Sequence, residues 1–310
     1  MEPVIDVFRV GLIITERCNA ACPHCWFNSG PHKGRDMSLK EAEAYIDQAR
    51  EIPSVRYISF TGGEPFLLPE MLLRLVRYAS DIGLYTECVT NSFWASTEGA
   101  AERMLRRLID SGLEVINLSV DDFHQSLIPF ERVLNSYRAA RRLGLKIVLM
   151  CAASKSGRIR IEEVKRMLRD EDIYIIGRGE QRGYPQVIAM EMGFIPAGRG
   201  ADIPQEEWLK GDGPLEGGCH VVLRDIAVAP GGGVLPCCSA AGTIKNLSIG
   251  NARVKRLRDI MEEAWRRPIF KLLRDRGPLG LADEFENRPL AYVNKCHLCY
   301  DLLKDVGKEG

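Results

Sequence analysis

The sequence has no long hydrophobic run and no excess of charge of either sign. None of its apolar stretches approaches the ~20 residues that a membrane-spanning helix needs. Lys plus Arg and Asp plus Glu number 42 each, so no electrostatic field attracts nucleic acid or an anionic membrane. The first residues, Met1–Arg9, include acidic side chains and lack the positively charged start of a signal peptide. We therefore expect a cytoplasmic protein with neither nucleic acid nor a membrane as its partner.

Cysteine is the residue type that stands out against this background. Ten cysteines occur among the 310 residues, where they form a C-x3-C-x2-C group, an adjacent pair and a C-x2-C pair. In a secreted protein such a number indicates disulfides, whereas in a reducing compartment grouped cysteines indicate metal ligands. Because the chain has no signal peptide, the second interpretation is favoured.

The first group, Cys18, Cys22 and Cys25, reads C-N-A-A-C-P-H-C and follows the apolar run Phe8–Ile14. Three thiolates can hold a cubic four-iron cluster at three corners, which leaves the fourth iron open to a substrate or cofactor. This spacing therefore favours chemistry over electron storage. A zinc knuckle with a distant fourth ligand is the alternative.

The first two thirds of the chain alternate short β-type runs with helical patterns. The predicted strands are Phe8–Thr15, Val55–Phe60, Leu84–Thr90, Glu114–Val120, Leu145–Cys151 and Gln186–Phe194. The predicted helices begin after the capping box at Ser38 and then cover Pro69–Ile82, Thr97–Asp110, Phe130–Leu143 and Ile161–Asp170. Six such repeats imply parallel strands with right-handed crossovers, hence an α/β barrel whose sites lie at the carboxyl ends of its strands.

Polar motifs stand where these strands end. Thr61-Gly-Gly-Glu-Pro65 combines two glycines, which let backbone approach a ligand closely, with a carboxylate at the barrel mouth. Thr90–Trp94 and Ser119–His124 end the next two strands, and Pro196–Arg199 follows the last. The structural alternative for Thr61–Pro65 is a simple turn. For the next two motifs it is a pair of helix caps, and for Pro196–Arg199 it is a solvated arginine.

The last third of the chain changes character after Gly193–Gly218, a stretch rich in glycine, proline and charge that is typical of a linker. Val221–Val228 and Gly233–Leu235 flank a Pro-Gly-Gly-Gly hairpin signal, and two helical stretches, Val254–Arg266 and Ile269–Arg274, follow. Five cysteines lie in this part, one more than a cluster or a zinc ion needs: Cys219, Cys237, Cys238, Cys296 and Cys299.

The adjacent pair, Cys237 and Cys238, follows a predicted strand, where successive side chains point to opposite faces. We therefore expect one of the two to bind metal and the other to face the cavity as a free thiol. Because its S–H bond is weak, such a thiol is able to donate a hydrogen atom. A spare or alternate metal ligand is the other interpretation of Cys238.

The C-x3-C-x2-C spacing with Trp26 beside its last cysteine, followed by Thr61–Pro65, resembles the radical S-adenosylmethionine superfamily. The C-terminal cysteines resemble the small auxiliary-cluster domain, called twitch or SPASM, that follows many barrels of this superfamily. The resemblance implies an α/β fold, with a partial (β/α)6 barrel over residues 1–200 and an auxiliary iron–sulfur domain over residues 201–310. Zinc held by four thiolates is the structural alternative for the second site.

The same resemblance implies a set of cofactors and ligands. The cofactors are S-adenosyl-L-methionine and two [4Fe-4S] clusters, one that binds S-adenosylmethionine and one auxiliary. The implied metal ligands are Cys18, Cys22 and Cys25 for the first cluster and Cys219, Cys237, Cys296 and Cys299 for the second. The implied cofactor-binding residues are Gly62, Gly63, Glu64, Asn91, Ser119, Asp121 and Arg199. His24 and His297 are expected to be local packing groups, and Cys88 and Cys151 buried core residues.

A closer resemblance is to the epipeptide epimerases, which convert L- to D-residues in a ribosomally made peptide. It is carried by C-N-A-A-C-P-H-C, Ile58–Glu64, Asn91–Trp94, Ser119–His124, Asp225-Ile226, Leu235-Pro-Cys-Cys-Ser239 and the final C-x2-C. It implies Cys238 as the hydrogen-atom donor and Asp225 as an acidic residue beside the reacting site. Three departures stand out: Asn91-Ser92 replaces the usual Asn-Gly, the Cys219–Asp225 gap is two residues longer, and Ile173–Gly218 does not align.

The implied function is that of a peptide epimerase. A 5′-deoxyadenosyl radical removes the Cα hydrogen of a peptide residue, and Cys238 returns a hydrogen from the opposite face. The implied partners are a ribosomally made precursor peptide and an electron donor such as flavodoxin or ferredoxin. Seventeen residues precede Cys18, so we expect recognition of the peptide through a separate partner or through its core.

Three other functions remain open at this point. A related enzyme could form a cross-link or thioether in a peptide, and a dehydrogenase of a small alcohol or amino sugar could use the same two clusters. A non-catalytic iron–sulfur or zinc protein is the alternative from a different class. Gly62–Glu64 argues against it, because a carrier has no need of a cofactor-binding strand end.

Overall fold

The computed structural model describes residues 5–32, 34–178, 183, 185–211, 214–244, 247–282 and 292–304. Within these residues ten strands form one sheet in the order β10-β9-β8-β1-β2-β3-β4-β5-β7-β6. The strands are β1 Arg9–Thr15, β2 Tyr57–Gly62, β3 Tyr85–Thr90, β4 Val115–Ser119, β5 Lys146–Ala153, β6 Tyr174–Ile175, β7 Val187–Gly193, β8 Asp225–Val228, β9 Gly233–Leu235 and β10 Gly250–Asn251.

The helices cover one face of this sheet and the C-terminal part of the chain. They are α1 Leu39–Arg50, α2 Pro69–Asp81, α3 Glu98–Asp110, α4 Asp122–Gln125, α5 Phe130–Arg142, α6 Ile161–Leu168, α7 Leu257–Arg266, α8 Pro268–Arg276, α9 Leu279–Ala282 and α10 Lys295–Leu303. The capping box predicted at Ser38 is present, since its side chain accepts from the backbone of Glu41, whose carboxylate accepts from Ser38 N–H. Among the described residues, no helix combines the length and the apolar character that crossing a bilayer requires.

The predicted α/β fold is confirmed. Strands β1 to β5 and β7 pair in parallel, and helices connect them, as in a partial barrel. All six predicted strands are present, with ends displaced by two residues or fewer. The short strand β6, which the sequence pattern did not predict, adds an outer edge beside β7.

Alternation along each strand separates two environments. In β1, Val10, Leu12 and Ile14 are fully buried against the helices. The alternate residues of neighbouring strands, such as Thr61 and Ser119, line a cavity on the opposite side of the sheet. We call this second side the inner face of the barrel. It is the face on which chemistry can occur, because it is the one that the helices leave uncovered.

The C-terminal third of the chain extends the same sheet. Strand β8 pairs in parallel with β1, where Asp225 lies beside Arg9 and Ala227 beside Gly11, and β9 returns antiparallel to β8. The predicted hairpin is therefore confirmed, but its first strand begins at Asp225 instead of Val221. The reason is local: Leu223 adopts a left-handed φ of 60°, and residues 221–224 form a turn.

One further prediction for this part needs correction, and the final cysteine pair, for which no secondary structure was predicted, lies on a helix. The stretch predicted as a linker, Gly193–Gly218, packs on the barrel over its described residues, where Trp208 bridges to Ser154 beyond β5. The final C-x2-C motif lies on α10, so Cys296 and Cys299 share one face of a helix three residues apart. The predicted domain boundary at residues 200 and 201 stays a prediction.

The first prediction concerns the edge that β8 covers. A chain that ends at residue 200 leaves the backbone of β1 unpaired beside apolar side chains, and such an edge favours aggregation. We expect this fragment to be aggregated or unfolded in size-exclusion chromatography and circular dichroism. Truncation after residue 304 is the control and should leave both measurements unchanged. A monomeric fragment with cooperative unfolding would show that β1 does not depend on β8.

Candidate functional site

A cavity opens at the carboxyl ends of β1 to β5 and β7. It encloses about 1150 Å³ of space between atoms, part of it open to solvent. Ten residues singled out from the sequence line it: Cys18, Cys22, Cys25, Gly62, Gly63, Glu64, Asn91, Ser119, Asp121 and Arg199. The fold therefore brings together residues that are up to 181 positions apart in the sequence. Their individual roles stay predictions.

The loop after β1 places three thiols at one end of this cavity. Cys18 and Cys22 are buried, and burial raises the pKa of the Cys18 thiol to about 11 and that of the Cys22 thiol to about 12. The backbone N–H of Ala20 donates to Cys18 Sγ over 3.4 Å. Three converging thiols suit iron or zinc, which bind the deprotonated form and release the protons.

The two glycines after β2 are explained by a close approach of backbone to backbone. Gly62 has a φ of 146°, and a Cβ at this position would lie 2.1 Å from Thr15 O. A Cβ on Gly63 would lie 2.0 Å from Arg17 O. The sequence argument attributed these glycines to a ligand. In the structure they let the end of β2 pack on the chain that leads into the cysteine loop.

Glu64 ties the ends of β2 and β3 together. Its carboxylate is buried and accepts hydrogen bonds from Thr90 Oγ1 and from the backbone N–H of Asn91, each over 2.8 Å, and from Phe66 N–H over 3.1 Å. Burial raises the pKa of Glu64 to about 7, although these three donors oppose the rise. A carboxylate offers about four acceptor positions, so one remains for a cationic group in the cavity.

Asn91 holds the cysteine loop against β3. Its Nδ2 donates to Asn19 Oδ1 over 2.9 Å and lies 3.7 Å from Cys18 Sγ. The following residue, Ser92, has a φ of 66° and is fully buried. Its hydroxyl has no hydrogen-bond partner among the described residues. This conformation favours glycine, which accounts for the Asn-Gly usual in the family that the sequence resembles.

Three polar groups meet at the end of β4. The carboxylate of Asp121 accepts from the backbone and the Nδ1 of His124, each over 2.9 Å, and from Ala152 N–H over 3.2 Å. The ring of His24 stacks on Phe123 and meets the edge of His124. Potential ligand atoms of His24, Asp121 and His124 lie within 4.8 Å of one another. Both histidines line the cavity. His24 was expected to be a local packing group, whereas His124 was singled out only as the last residue of the Ser119–His124 motif and was given no role of its own.

The electrostatics of this group follow from burial and pairing. Burial lowers the pKa of His24 to about 4, so its imidazole is neutral. Burial also disfavours charge on His124 and Asp121, but their mutual attraction outweighs it. The pKa of His124 is raised and that of Asp121 lowered. Pairing therefore favours the charged form of both Asp121 and His124.

Arg199 contacts the cysteine loop from its outer side. Its Nε donates to Cys22 O over 3.0 Å and its Nη2 to Ser29 O over 2.7 Å. A Cβ on Gly198 would lie 2.4 Å from Trp26 O, so the backbone packs directly on the loop. Contact of Arg199 with a cofactor stays a prediction, and the observed contacts give it a role in holding the loop.

The four other predicted ligands surround a second cavity of about 840 Å³, in which Cys219, Cys237, Cys296 and Cys299 line one space. Burial, together with a smaller contribution from Cys296 and Cys219, raises the pKa of the Cys237 thiol to about 12. Lys295, the first residue of α10, ties this helix to the segment before Cys219. Its Nζ donates to the carbonyls of Glu216, Gly217 and Gly218. Four convergent thiols fit either an iron–sulfur cluster or a zinc ion.

Cys238 lines neither of these cavities. Its Sγ lies on the inner face of β1, 3.2 Å from where a Cβ on Gly11 would stand, and donates to Ile226 O over 3.3 Å. It is the one exposed cysteine, yet the protein atoms around its thiol raise the pKa of that thiol through desolvation. Cys237 and Cys238 therefore point to opposite sides, as alternation along a strand predicts.

Charged residues surround the thiol of Cys238. Asp225 Oδ1 lies 4.0 Å from Arg9 Nε, and Arg9 Nη1 pairs with Glu87 over 3.0 Å. Burial raises the pKa of Asp225, although Arg9 opposes the rise. The sequence argument found Asp225 but missed Arg9 and Glu87. The signal was available, because each is a charged residue at an alternate position of an otherwise apolar strand.

The remaining cysteines and His297 agree with the expected packing roles. Cys88 is fully buried in β3. Cys151 touches the first cavity, and its thiol donates to Ile159 O over 3.3 Å. His297 is buried between the rings of Trp208 and Tyr292.

Comparison with known proteins identifies the family. The profile of the Radical SAM superfamily matches residues 12–168, and that of SPASM, an iron-sulfur cluster-binding domain, matches residues 219–300. The first match covers half of the chain, so this chain belongs to the Radical SAM superfamily, and it carries a C-terminal SPASM domain. The cofactors of such a chain are S-adenosylmethionine, a [4Fe-4S] cluster and auxiliary iron–sulfur. The two thiol sets described above fit them in number and chemistry.

Several curated proteins are similar in sequence. The putative peptide biosynthesis protein YydG of Bacillus subtilis is 23% identical over 133 residues, which are 43% of this chain and 42% of that protein. The PqqA peptide cyclase of Bradyrhizobium diazoefficiens is 33% identical over 140 residues, 44% of this chain and 33% of that protein. The PqqA peptide cyclase of Xanthomonas campestris is 28% identical over 84% of this chain and 74% of its own length. The chain thus spans less than half the length of the first two.

Solved structures show the same fold. Streptococcus suis SuiB bound to precursor peptide SuiA has a TM-score of 0.59 at 16% identity, over 94% of this chain and 76% of that one. The enzyme anSMEcpe with bound AdoMet and a peptide has a TM-score of 0.54 at 15% identity, over 97% of each chain.

Replacement of Ser92 by glycine tests the strained turn after β3. Glycine relieves the strain of the left-handed conformation, which costs a residue with a side chain ~1–2 kcal/mol. It also removes a buried hydroxyl that has no hydrogen-bond partner among the described residues. After the loss of side-chain packing we expect a net gain of about 1 kcal/mol, or about 2–4 °C in the unfolding temperature. Differential scanning calorimetry measures it. Ser59→Gly, in an ordinary strand conformation, is the control and should lower that temperature. A lower unfolding temperature for Ser92→Gly would show that the backbone at Ser92 is not strained.

Proposed function

We propose that the protein is a radical S-adenosylmethionine enzyme that inverts an L-residue to a D-residue in a ribosomally made peptide. Relatives named for peptide biosynthesis and peptide cyclisation support a peptide substrate. The position of Cys238 supports epimerisation within that class. One observation carries the proposal: two adjacent cysteines divide between the four-thiol cavity and the inner face of the barrel.

The first cavity suits the binding of S-adenosylmethionine. Cys18, Cys22 and Cys25 would hold the cluster, and Glu64 has one acceptor position left for a cationic group. When bound, the cluster and S-adenosylmethionine supply a carbon radical able to remove a hydrogen atom from an unactivated C–H bond. The neighbouring residues position this chemistry, and the walls of the cavity exclude water from it.

The inner face offers a second approach to a substrate. Thr61, which lines the first cavity, pairs with Ile13, and Gly11 beside the Cys238 thiol lies two residues earlier on β1. At 3.3 Å per residue, the thiol lies about 7 Å from the level of Thr61 along the strands. A peptide Cα held between the level of Thr61 and the level of the Cys238 thiol is open to the first cavity on one side and to the thiol on the other.

This arrangement accounts for inversion with balanced bonds. The Cα–H bond would break on the cavity side, and its hydrogen atom would pass to the carbon radical described above, where a new C–H bond forms. The planar Cα radical that remains is stabilised by the flanking amides. Cys238 then breaks its S–H bond and forms the new Cα–H bond on the opposite side. Return of Cys238 to a thiol consumes one electron and one proton, and a donor such as flavodoxin or ferredoxin would supply the electron.

Peptide cross-linking is the second candidate function. It is favoured by the peptide cyclase of Xanthomonas campestris, whose similarity extends over 84% of this chain. In that function Cys238 takes no part in hydrogen transfer, and the product has two hydrogens fewer than the substrate.

Turnover in deuterated water distinguishes these functions. We expect the iron-loaded enzyme, with a peptide encoded beside its gene, to give a one-deuteron gain at Cα and a D-residue. The reason is that the thiol hydrogen of Cys238 exchanges with solvent. Mass spectrometry and chiral amino-acid analysis read both quantities. Loss of two hydrogens without inversion would overturn epimerisation in favour of cross-linking, or of dehydrogenation if a small molecule is the substrate.

Replacement of Cys238 by alanine tests the donor. We expect the variant to keep about eight irons per chain, as two cubic clusters require, and to form 5′-deoxyadenosine, yet to give no D-residue. Iron assay and product analysis measure this. Cys237→Ala should lose about four irons. Cys88→Ala, in the core, should behave as the parent enzyme. Loss of about four irons from Cys238→Ala would make Cys238 a ligand and rule out its role as donor.

A further inference from the structure

We propose that Gly11 positions the thiol of Cys238: the missing side chain at residue 11 leaves a niche on the inner face of β1, and Sγ lies in it. The inference rests on the proposed function, because it concerns where the hydrogen-atom donor stands relative to the substrate. Gly11 is thus a positioning residue that acts through Cys238.

The contacts around Gly11 are tight. A Cβ built on Gly11 would stand 3.2 Å from Cys238 Sγ, 3.4 Å from Ile226 O and 3.5 Å from Ala227 Cβ. Favourable contacts between carbon atoms lie at about 3.5–4.0 Å, and sulfur is larger than carbon. A methyl group at residue 11 would therefore displace Sγ by a few tenths of an ångström.

Backbone conformation does not explain this glycine. The glycines that adopt a left-handed φ include Gly62 and Gly112, and Gly11 is not among them. It stands inside a parallel strand that is paired on both sides. Glycine weakens such a strand, and its presence there often marks the close approach of another group. Here the group that approaches is the Cys238 thiol.

The other walls of the niche come from β8. Ile226 O accepts the thiol hydrogen over 3.3 Å, and Ala227, the register partner of Gly11, presents a small side chain. Two residue pairs earlier, Arg9 lies beside Asp225. Two strands that are far apart in sequence therefore fix one sulfur atom by shape and by a hydrogen bond.

The position of this atom decides how well hydrogen is returned. Transfer of a hydrogen atom requires close approach of sulfur to the radical carbon, on the face opposite to the one that lost hydrogen. A thiol displaced from the niche would return hydrogen more slowly. Substrate radicals would then be consumed by other routes, and more S-adenosylmethionine would be cleaved for each D-residue formed.

The experiment compares Gly11→Ala with Gly233→Ala in the iron-loaded enzyme. Gly233 is a glycine of β9, in the same sheet, and a Cβ there meets nothing within 4 Å. The first measurement is the rate of alkylation of Cys238 by iodoacetamide at one fixed pH, followed by peptide mass spectrometry. We expect several-fold faster alkylation in Gly11→Ala, because displacement of the thiol weakens its hydrogen bond to Ile226 O. Rates equal to those of the parent enzyme would overturn the proposal.

The second measurement is the ratio of 5′-deoxyadenosine to D-residue during turnover. We expect it to rise several-fold in Gly11→Ala and to stay unchanged in Gly233→Ala. A parent enzyme that makes no D-residue, together with altered alkylation in Gly11→Ala, would refute the proposed function and leave the niche standing. Epimerisation with both measurements unchanged in Gly11→Ala would refute the niche and leave the function standing.

A double-mutant cycle covers the case in which Gly11→Ala folds poorly. We expect Gly11→Ala to lower the unfolding temperature by about 3 °C in the parent chain and to have little effect in the Cys238→Ala background. The reason is that the obstructing sulfur is absent there. An equal decrease in both backgrounds would show that residue 11 acts independently of Cys238 and would overturn the proposal.

Discussion

The pairing of β1 on both of its edges is the constraint on which the sites depend. Its hydrogen bonds to β2 on one side and to β8 on the other join the barrel to the C-terminal region in one sheet. The carboxyl end of β1 leads into the loop of Cys18, Cys22 and Cys25, while its inner face receives Cys238. A shift of β1 by one residue would exchange its two faces and disturb both sites at once.

The protein itself holds the cysteine loop in place. Asn91 fixes it from β3, Arg199 from the segment after β7, and the backbone at Gly63 packs directly under it. The carboxylate of Glu64 is in turn oriented by donors from two strands, and that of Asp121 by His124. A site organised in this way loses little further conformational freedom when its ligands bind, which is the physical meaning of preorganisation.

The sequence predicted well what depends on local spacing, and less well what depends on distant pairing. Alternation and helical periodicity are local, so the six strands and the cysteine groups followed from them. The place of β8 beside β1, the packed path of Gly193–Gly218 and the helix under Cys296 did not, since each depends on contacts with remote segments. The same limit explains why Gly11 was missed. Its neighbours on the inner face are Cys238 and residues of β8, and sequence spacing cannot show this.

The parallel pairing of β1 with β8 also bears on the order in which the chain assembles. Arg9 and Asp225 are register partners. At a synthesis rate of 5–20 residues per second, roughly 10–40 s separate the appearance of these two residues at the ribosome. During that interval the edge of β1 that later pairs with β8 has no partner, although β2 and the strands after it can already pair in chain order. The pairing of β1 with β8, which closes the long stretch of chain between them, is thus a late step in folding. The edge of β1 stays exposed until then, and exposed edges of this kind are surfaces on which nascent-chain chaperones act.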